Sequence, residues 1–119
     1  MNKKIPVIAP IGIDKTEQVY NINADTVAGK ISEKIKADRL LLMTDVPGVN
    51  DKFGKLIEKL TISEANNLIS SGVITGGMIP KILTCISCLK EGVSGVVIID
   101  GRKPHAVLYL SLIHISEPT

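Results

Sequence analysis

Val7 to Ile13 and Gln18 to Asn23 are two short runs rich in Ile and Val, parted by the polar stretch Asp14 to Glu17, and this pattern predicts a β-hairpin. From Ala24 to Ala37 the spacing changes. Val27, Ile31 and Ile35 recur every fourth position with Ala24 and Ala28 beside them, which is one face of a helix. Arg39 to Thr44 is short and nearly all apolar, as expected of a strand buried on both faces of a sheet. Pro47 and Gly48 then force a turn over Asp45 to Asn50. Thr61 and Glu64 have the spacing of a capping box and predict a helix to about Ser70, closed by Gly72. Gly76-Gly77 opens another turn, Pro80 suits the first turn of a helix running to about Glu91, and Val96 to Ile99 predicts a second buried strand ended by Asp100-Gly101. The order is hairpin, helix, strand, helix, helix, strand. Such alternation predicts a three-layer αβα fold of the α/β class with a mostly parallel central sheet. Ligands of such sheets bind beyond the C-terminal strand ends, so the turns after Thr44 and after Val73 are the places to look.

Composition narrows the function classes. An apolar fraction of 45% with 22% charged residues is that of a folded chain, and 119 residues make about one small domain. The formal charge of +2 is spread along the chain, and 3% aromatics with no Trp supply no stacking platforms, so nucleic acid gains no support as a partner. The longest apolar runs, Leu40 to Met43 and Val96 to Ile99, are far shorter than the roughly 20 residues that span a bilayer. No membrane span and a cytoplasmic address are expected. Cys85 and Cys88 form one CxxC, the spacing of a redox pair or half a zinc site. They fall inside the helical pattern Ile79, Ile82, Leu83, Ile86, Leu89 with no neighbouring His, which favours reduced packing cysteines.

Three stretches have the residue types for phosphate chemistry, and each also has a plain structural reading. Gly72 to Lys81 places three glycines and Thr75 before a helix whose opening turns carry Lys81. Glycines let backbone N–H groups approach an anion, the helix start adds partial positive charge and a lysine adds a full one, although a glycine turn before a helix is commonly only a turn. Asn21-Ile-Asn-Ala-Asp25 sets short polar side chains at a strand-to-helix junction. There Asn23 or Asp25 can cap the helix, or an amide can orient a substrate while a carboxylate positions an ammonium group. Asp45 to Gly48 is a β-turn that would also suit a nucleotide. His105 and His114 have no metal-ligand partner in view.

Together these stretches resemble a family. Tyr20-Asn-Ile-Asn-Ala-Asp25, Leu42-Met-Thr-Asp-Val-Pro-Gly-Val49, Ile74-Thr-Gly-Gly-Met-Ile-Pro-Lys81 and Ile98-Ile-Asp-Gly-Arg-Lys-Pro-His-Ala106 resemble, in order and spacing, the acetylglutamate kinases of the amino acid kinase family. The match runs from about Ile5 to Leu108. The related kinases for aspartate, glutamate, carbamate and uridylate share the fold and an Asp-turn-Gly element and stand as alternatives, as does a non-catalytic nucleotide-binding fragment. The resemblance implies a carbamate kinase-like fold and transfer of the ATP γ-phosphoryl group to the side-chain carboxylate of N-acetyl-L-glutamate, a step of arginine biosynthesis. By it Asn21 and Asn23 would bind the amino acid, Asp25 would hold catalytic lysines, and Lys81 would stabilise charge on the transferring group. Thr44, Asp45, Val46, Pro47, Gly48, Val49 and Asn50, with Val73, Ile74, Thr75, Gly76, Met78 and Lys81, would form the nucleotide site. Mg2+ would arrive with the nucleotide. A homo-oligomeric parent and a PII-type regulator are further implications.

The sequence departs from that family at both ends. Residues 1–108 are expected to be a truncated, C-terminal nucleotide-binding part, because the family's N-terminal lysine with its glycine pair, and a substrate-binding arginine, have no counterpart here. Tyr109 to Thr119 does not continue the family pattern and resembles translated sequencing-adapter read-through.

Overall fold

The computed structural model describes residues 3–45, 49–102, 104–105 and 113–116. Its elements in chain order are β1 (Ile11–Ile13), β2 (Val19–Asn21), α1 (Ala24–Lys34), β3 (Leu40–Thr44), β4 (Lys59–Thr61), α2 (Ile62–Ser70), α3 (Met78–Lys90), β5 (Val96–Asp100) and β6 (Ile113–Ser116). The expected α/β class with a mostly parallel sheet stands.

Local chemistry accounts for most helix ends. The Asn23 side chain accepts from the Thr26 backbone N–H at 3.1 Å and starts α1, so the capping reading of that residue holds. The helix stops at Lys34, earlier than Ala37, and Lys36 just beyond it takes a positive φ of 52°. Thr61 caps α2 through the Glu64 N–H at 3.2 Å, while the Glu64 carboxylate accepts from the Thr61 hydroxyl. Gly72, at φ 81°, supplies the left-handed turn that closes this helix.

The larger sheet has the order β3-β5-β6-β4. β3 and β5 are parallel, in register from Leu40 opposite Val96 to Thr44 opposite Asp100. β6 runs antiparallel to β5 and parallel to β4. Neither β4 nor β6 is expected from the apolar runs.

Helix α3 packs against α1 and α2 and over β5 and β6. Its Ile82, Cys85, Ile86 and Leu89 join Leu40, Leu42, Val96, Ile98 and Ile115 in one buried cluster. Val97 and Ile99, which alternate to the opposite face of β5, are buried as well. β5 is thus covered on both faces. β3 is not: as the outer strand of the sheet it leaves Met43 55% exposed, which corrects the expectation of burial on both faces. Both cysteines are free and buried. Burial is the main cause that pushes the Cys85 thiol up to about 12, so it is an inert packing group.

The N-terminal hairpin forms, over fewer residues than its apolar runs suggest, as a two-stranded antiparallel sheet of its own. Its turn is held by Asp14, whose carboxylate accepts from the Thr16 N–H and hydroxyl, the Gln18 N–H and the Tyr20 hydroxyl.

Candidate functional site

The parallel pairing of β3 with β5 brings two strand ends together, and the Gly101 N–H donates to the Thr44 carbonyl at 2.8 Å across them. Beside this edge lies a cavity of about 480 Å3, within the range of small-molecule sites. Thr44, Asp45, Val49 and Asn50 line it from the β3 side. Val73, Ile74 and Thr75 line it from the turn after α2, and Gly77, Met78 and Lys81 from the start of α3. The wall is mixed: Val49, Ile74 and Met78 are buried apolar groups, and Lys81 is the cation.

Helix α3 starts at this cavity. Its N-cap residue Gly77 has no side chain to satisfy the first backbone N–H groups, so the positive end of a 13-residue helix meets the space that Lys81 also reaches. The Lys81 ammonium donates to Asp25 Oδ2 at 2.7 Å, with side-chain exposures of 19% and 26%. These two residues are 56 positions apart in the chain, and the packing of α1 on α3 joins them. A half-buried pair of this kind holds the amine in place while leaving its other two protons to a ligand.

The expected nucleotide residues are gathered with few exceptions. Gly76 shapes the turn at φ 60° but does not line the cavity, whereas its neighbour Gly77 does. Val46, Pro47 and Gly48 lie outside the described residues. Asn21 ends β2 and is exposed, Asn23 caps α1 through its Oδ1, and neither lines the cavity. A further ion pair stands at the strand ends. Arg102 donates through Nε and a terminal nitrogen to the two oxygens of the buried Asp100, each at 3.0 Å. Asp100 is the main cause that raises the Arg102 pKa, and Asp45 adds to it. The strand-end motif Asp-Gly-Arg was visible in the sequence, but two residues of opposite charge in a turn do not announce a bidentate clamp.

Comparison with known proteins decides the lineage. The sequence pattern of the amino acid kinase family matches residues 1–100. The chain belongs to the amino acid kinase family. Among its relatives, the acetylglutamate kinase of Nitrobacter winogradskyi is 61% identical over 104 residues, 87% of this chain and 35% of the relative. That of Bartonella tribocorum is 54% identical over 107 residues, 90% of this chain and 36% of the relative. This amino acid kinase chain therefore spans about a third of the length of the curated relatives it matches. Among solved structures, smu.665 from Streptococcus mutans superposes with a TM-score of 0.79 at 35% identity, covering 97% of this chain and 44% of that one. N-acetylglutamate synthase from Neisseria gonorrhoeae gives 0.83 at 22% identity, over 92% of this chain and 27% of that one, which speaks for the fold alone.

Proposed function

We propose that the cavity beside Lys81 takes the nucleotide of a phosphoryl transfer, and that the longer protein moves the γ-phosphoryl group of ATP to the side-chain carboxylate of N-acetyl-L-glutamate. The observation that carries the reading is Lys81 itself: a cation at an uncapped helix start, steadied by Asp25 at 2.7 Å and opening on a 480 Å3 cavity. Phosphoryl transfer asks chiefly for positioned reactants and fixed positive charge near the transferring oxygens. Lys81 would supply that charge, Asp25 would fix its direction, and the first N–H groups of α3 would add partial charge. ATP supplies the transferable group, with Mg2+ carried on its phosphates. Among the described residues no group of three or more His, Cys, Asp or Glu could hold a metal by itself.

The choice of N-acetyl-L-glutamate, and with it arginine biosynthesis in the cytoplasm, rests on the acetylglutamate kinase relatives. Asn21 and Asn23 would face the amino acid in the longer protein, where any homo-oligomer or PII-type contact also belongs. The 119 residues alone should bind nucleotide weakly and turn over little, since one charge-stabilising lysine is present where the family pattern expects two, and losing such a group costs roughly 100-fold to 1000-fold. Titration calorimetry with Mg-ATP on the wild-type chain and on Lys81→Ala tests this. Weak binding that falls about tenfold or more in the variant is expected. Equal binding by both would sink the nucleotide reading, and ordinary turnover in a coupled ADP-release assay would sink the inactivity of the isolated chain.

A further inference from the structure

The site depends on two helices meeting in one register, and their seam is unusually close at one point. Gly29 lies one turn after Asp25 on α1, and Thr84 and Cys88 lie one and two turns after Lys81 on α3, so all five residues share the facing sides of the pair. A Cβ on Gly29 would stand 3.0 Å from Thr84 Cγ2 and 3.1 Å from Cys88 Sγ. Both distances are tighter than carbon and sulfur ordinarily accept, so a methyl there obliges the helices or these two side chains to give by a few tenths of an ångström. The seam continues past this point through the Cys88 thiol donating to the Gly29 carbonyl at 3.6 Å, a Ser87 to Glu33 contact at 3.4 Å and the Lys36 ammonium donating to the Glu91 carbonyl at 2.7 Å.

We propose that Gly29 is a positioning residue for Lys81: its missing side chain sets the approach of α1 to α3 that holds Asp25 within 2.7 Å of the amine. The inference rests on the reading of Lys81 as a phosphate-facing group only for its effect on nucleotide, since the geometry of the pair is independent of any ligand. Asp25 has a short side chain, so its carboxylate follows the backbone of α1. A methyl at Gly29 acts as a wedge one turn away, and the few tenths of an ångström it demands are taken from the ion pair. Ser32, also buried on this seam, donates its hydroxyl to the Gly29 carbonyl at 2.8 Å and keeps that stretch of α1 from relaxing locally.

The test compares the wild-type chain, Gly29→Ala, and a triple variant in which Thr84→Ser and Cys88→Ala remove the two atoms that the new methyl meets. The first readout is the acylation rate of the Lys81 amine by a small amine-reactive ester, followed by peptide mass spectrometry with the exposed Lys59 as internal reference. Gly29→Ala should raise the Lys81 to Lys59 ratio severalfold, toward that of Asp25→Asn, and the triple variant should restore it. An unchanged ratio in Gly29→Ala, or one that the triple variant does not restore, would overturn the proposal. General loosening of the fold would raise labelling without such rescue. The second readout is Mg-ATP affinity, expected to drop about fivefold in Gly29→Ala, a coupling ordinary for neighbours in one network, and to return in the triple variant. If Lys81→Ala leaves affinity intact, the nucleotide reading fails while the labelling ratio still judges Gly29.

Discussion

Strand β5 and the hairpin β1–β2 are built from the same kind of residue and sit in opposite surroundings. Every residue of Val96–Asp100 is buried, whereas Ile11, Ile13 and Val19 are 57%, 66% and 58% exposed. The difference lies in neighbours: β5 has β3 on one side and β6 on the other with α3 above, while among the described residues the hairpin strands form a two-stranded sheet of their own. Richness in Ile and Val therefore reports strand formation and says little about burial. A two-stranded ribbon lacks the third strand or packed helix that stabilises it, so this one leans on polar bonds, above all those of Asp14.

The largest expected effect comes from hollowing the covered strand. Ile98→Ala should lower the unfolding free energy by about 2 to 5 kcal/mol, because Ile98 is fully buried between two strands and a helix. Urea unfolding followed by circular dichroism checks it, and a loss no larger than an exposed substitution gives would contradict the contrast. A middle effect should follow from Thr61→Ala, which removes the α2 cap and should cost about 1 kcal/mol in the same experiment.

The smallest effect concerns the hairpin and acid. Hydrogen bonds, first from the Thr16 hydroxyl and then from Tyr20, lower the Asp14 pKa from 3.8 to about 2. A depressed carboxylate stabilises its surroundings above its unfolded value and loses that contribution as pH falls through the folded value. The Thr16 and Gln18 amide resonances should therefore shift between about pH 4 and pH 2 and stay fixed above that window. In Asp14→Asn this acid step should vanish with the global unfolding midpoint unmoved, since the hairpin is a sheet apart. A midpoint that follows Asp14 would show the two regions to be coupled after all.

Much of the molecule was legible because its signals are local. The fourfold spacing of Val27, Ile31 and Ile35 gives α1, and Gly72 and Pro80 punctuate the helices that flank the cavity. That Thr44, Asp45, Val73 and Thr75 line a cavity was foreseeable because strand ends and glycine turns are where α/β sheets take ligands. Three features were not legible, each for a physical reason. Lys59-Leu-Thr61 is too short, with one apolar residue, to register as a strand. Ile113-His-Ile-Ser116 does alternate, but four residues are too few to set a strand apart from a loop, and nothing local says that β5 and β4 lie on either side of it. The Asp25 contact with Lys81 spans 56 positions, and no spacing rule reaches that far; only the resemblance linked them.

The order β3-β5-β6-β4 has a consequence for synthesis. Among the described residues β4 pairs only with β6, and β6 is the later of the two to leave the ribosome by more than fifty residues. Until residues 113–116 have emerged, the edges of β5 and β4 that β6 will cover stay open, each with unpaired backbone groups next to apolar side chains. Such edges are where other strands add on, so chaperone occupancy and misassembly during translation should concentrate in the interval between completion of β5 and arrival of β6.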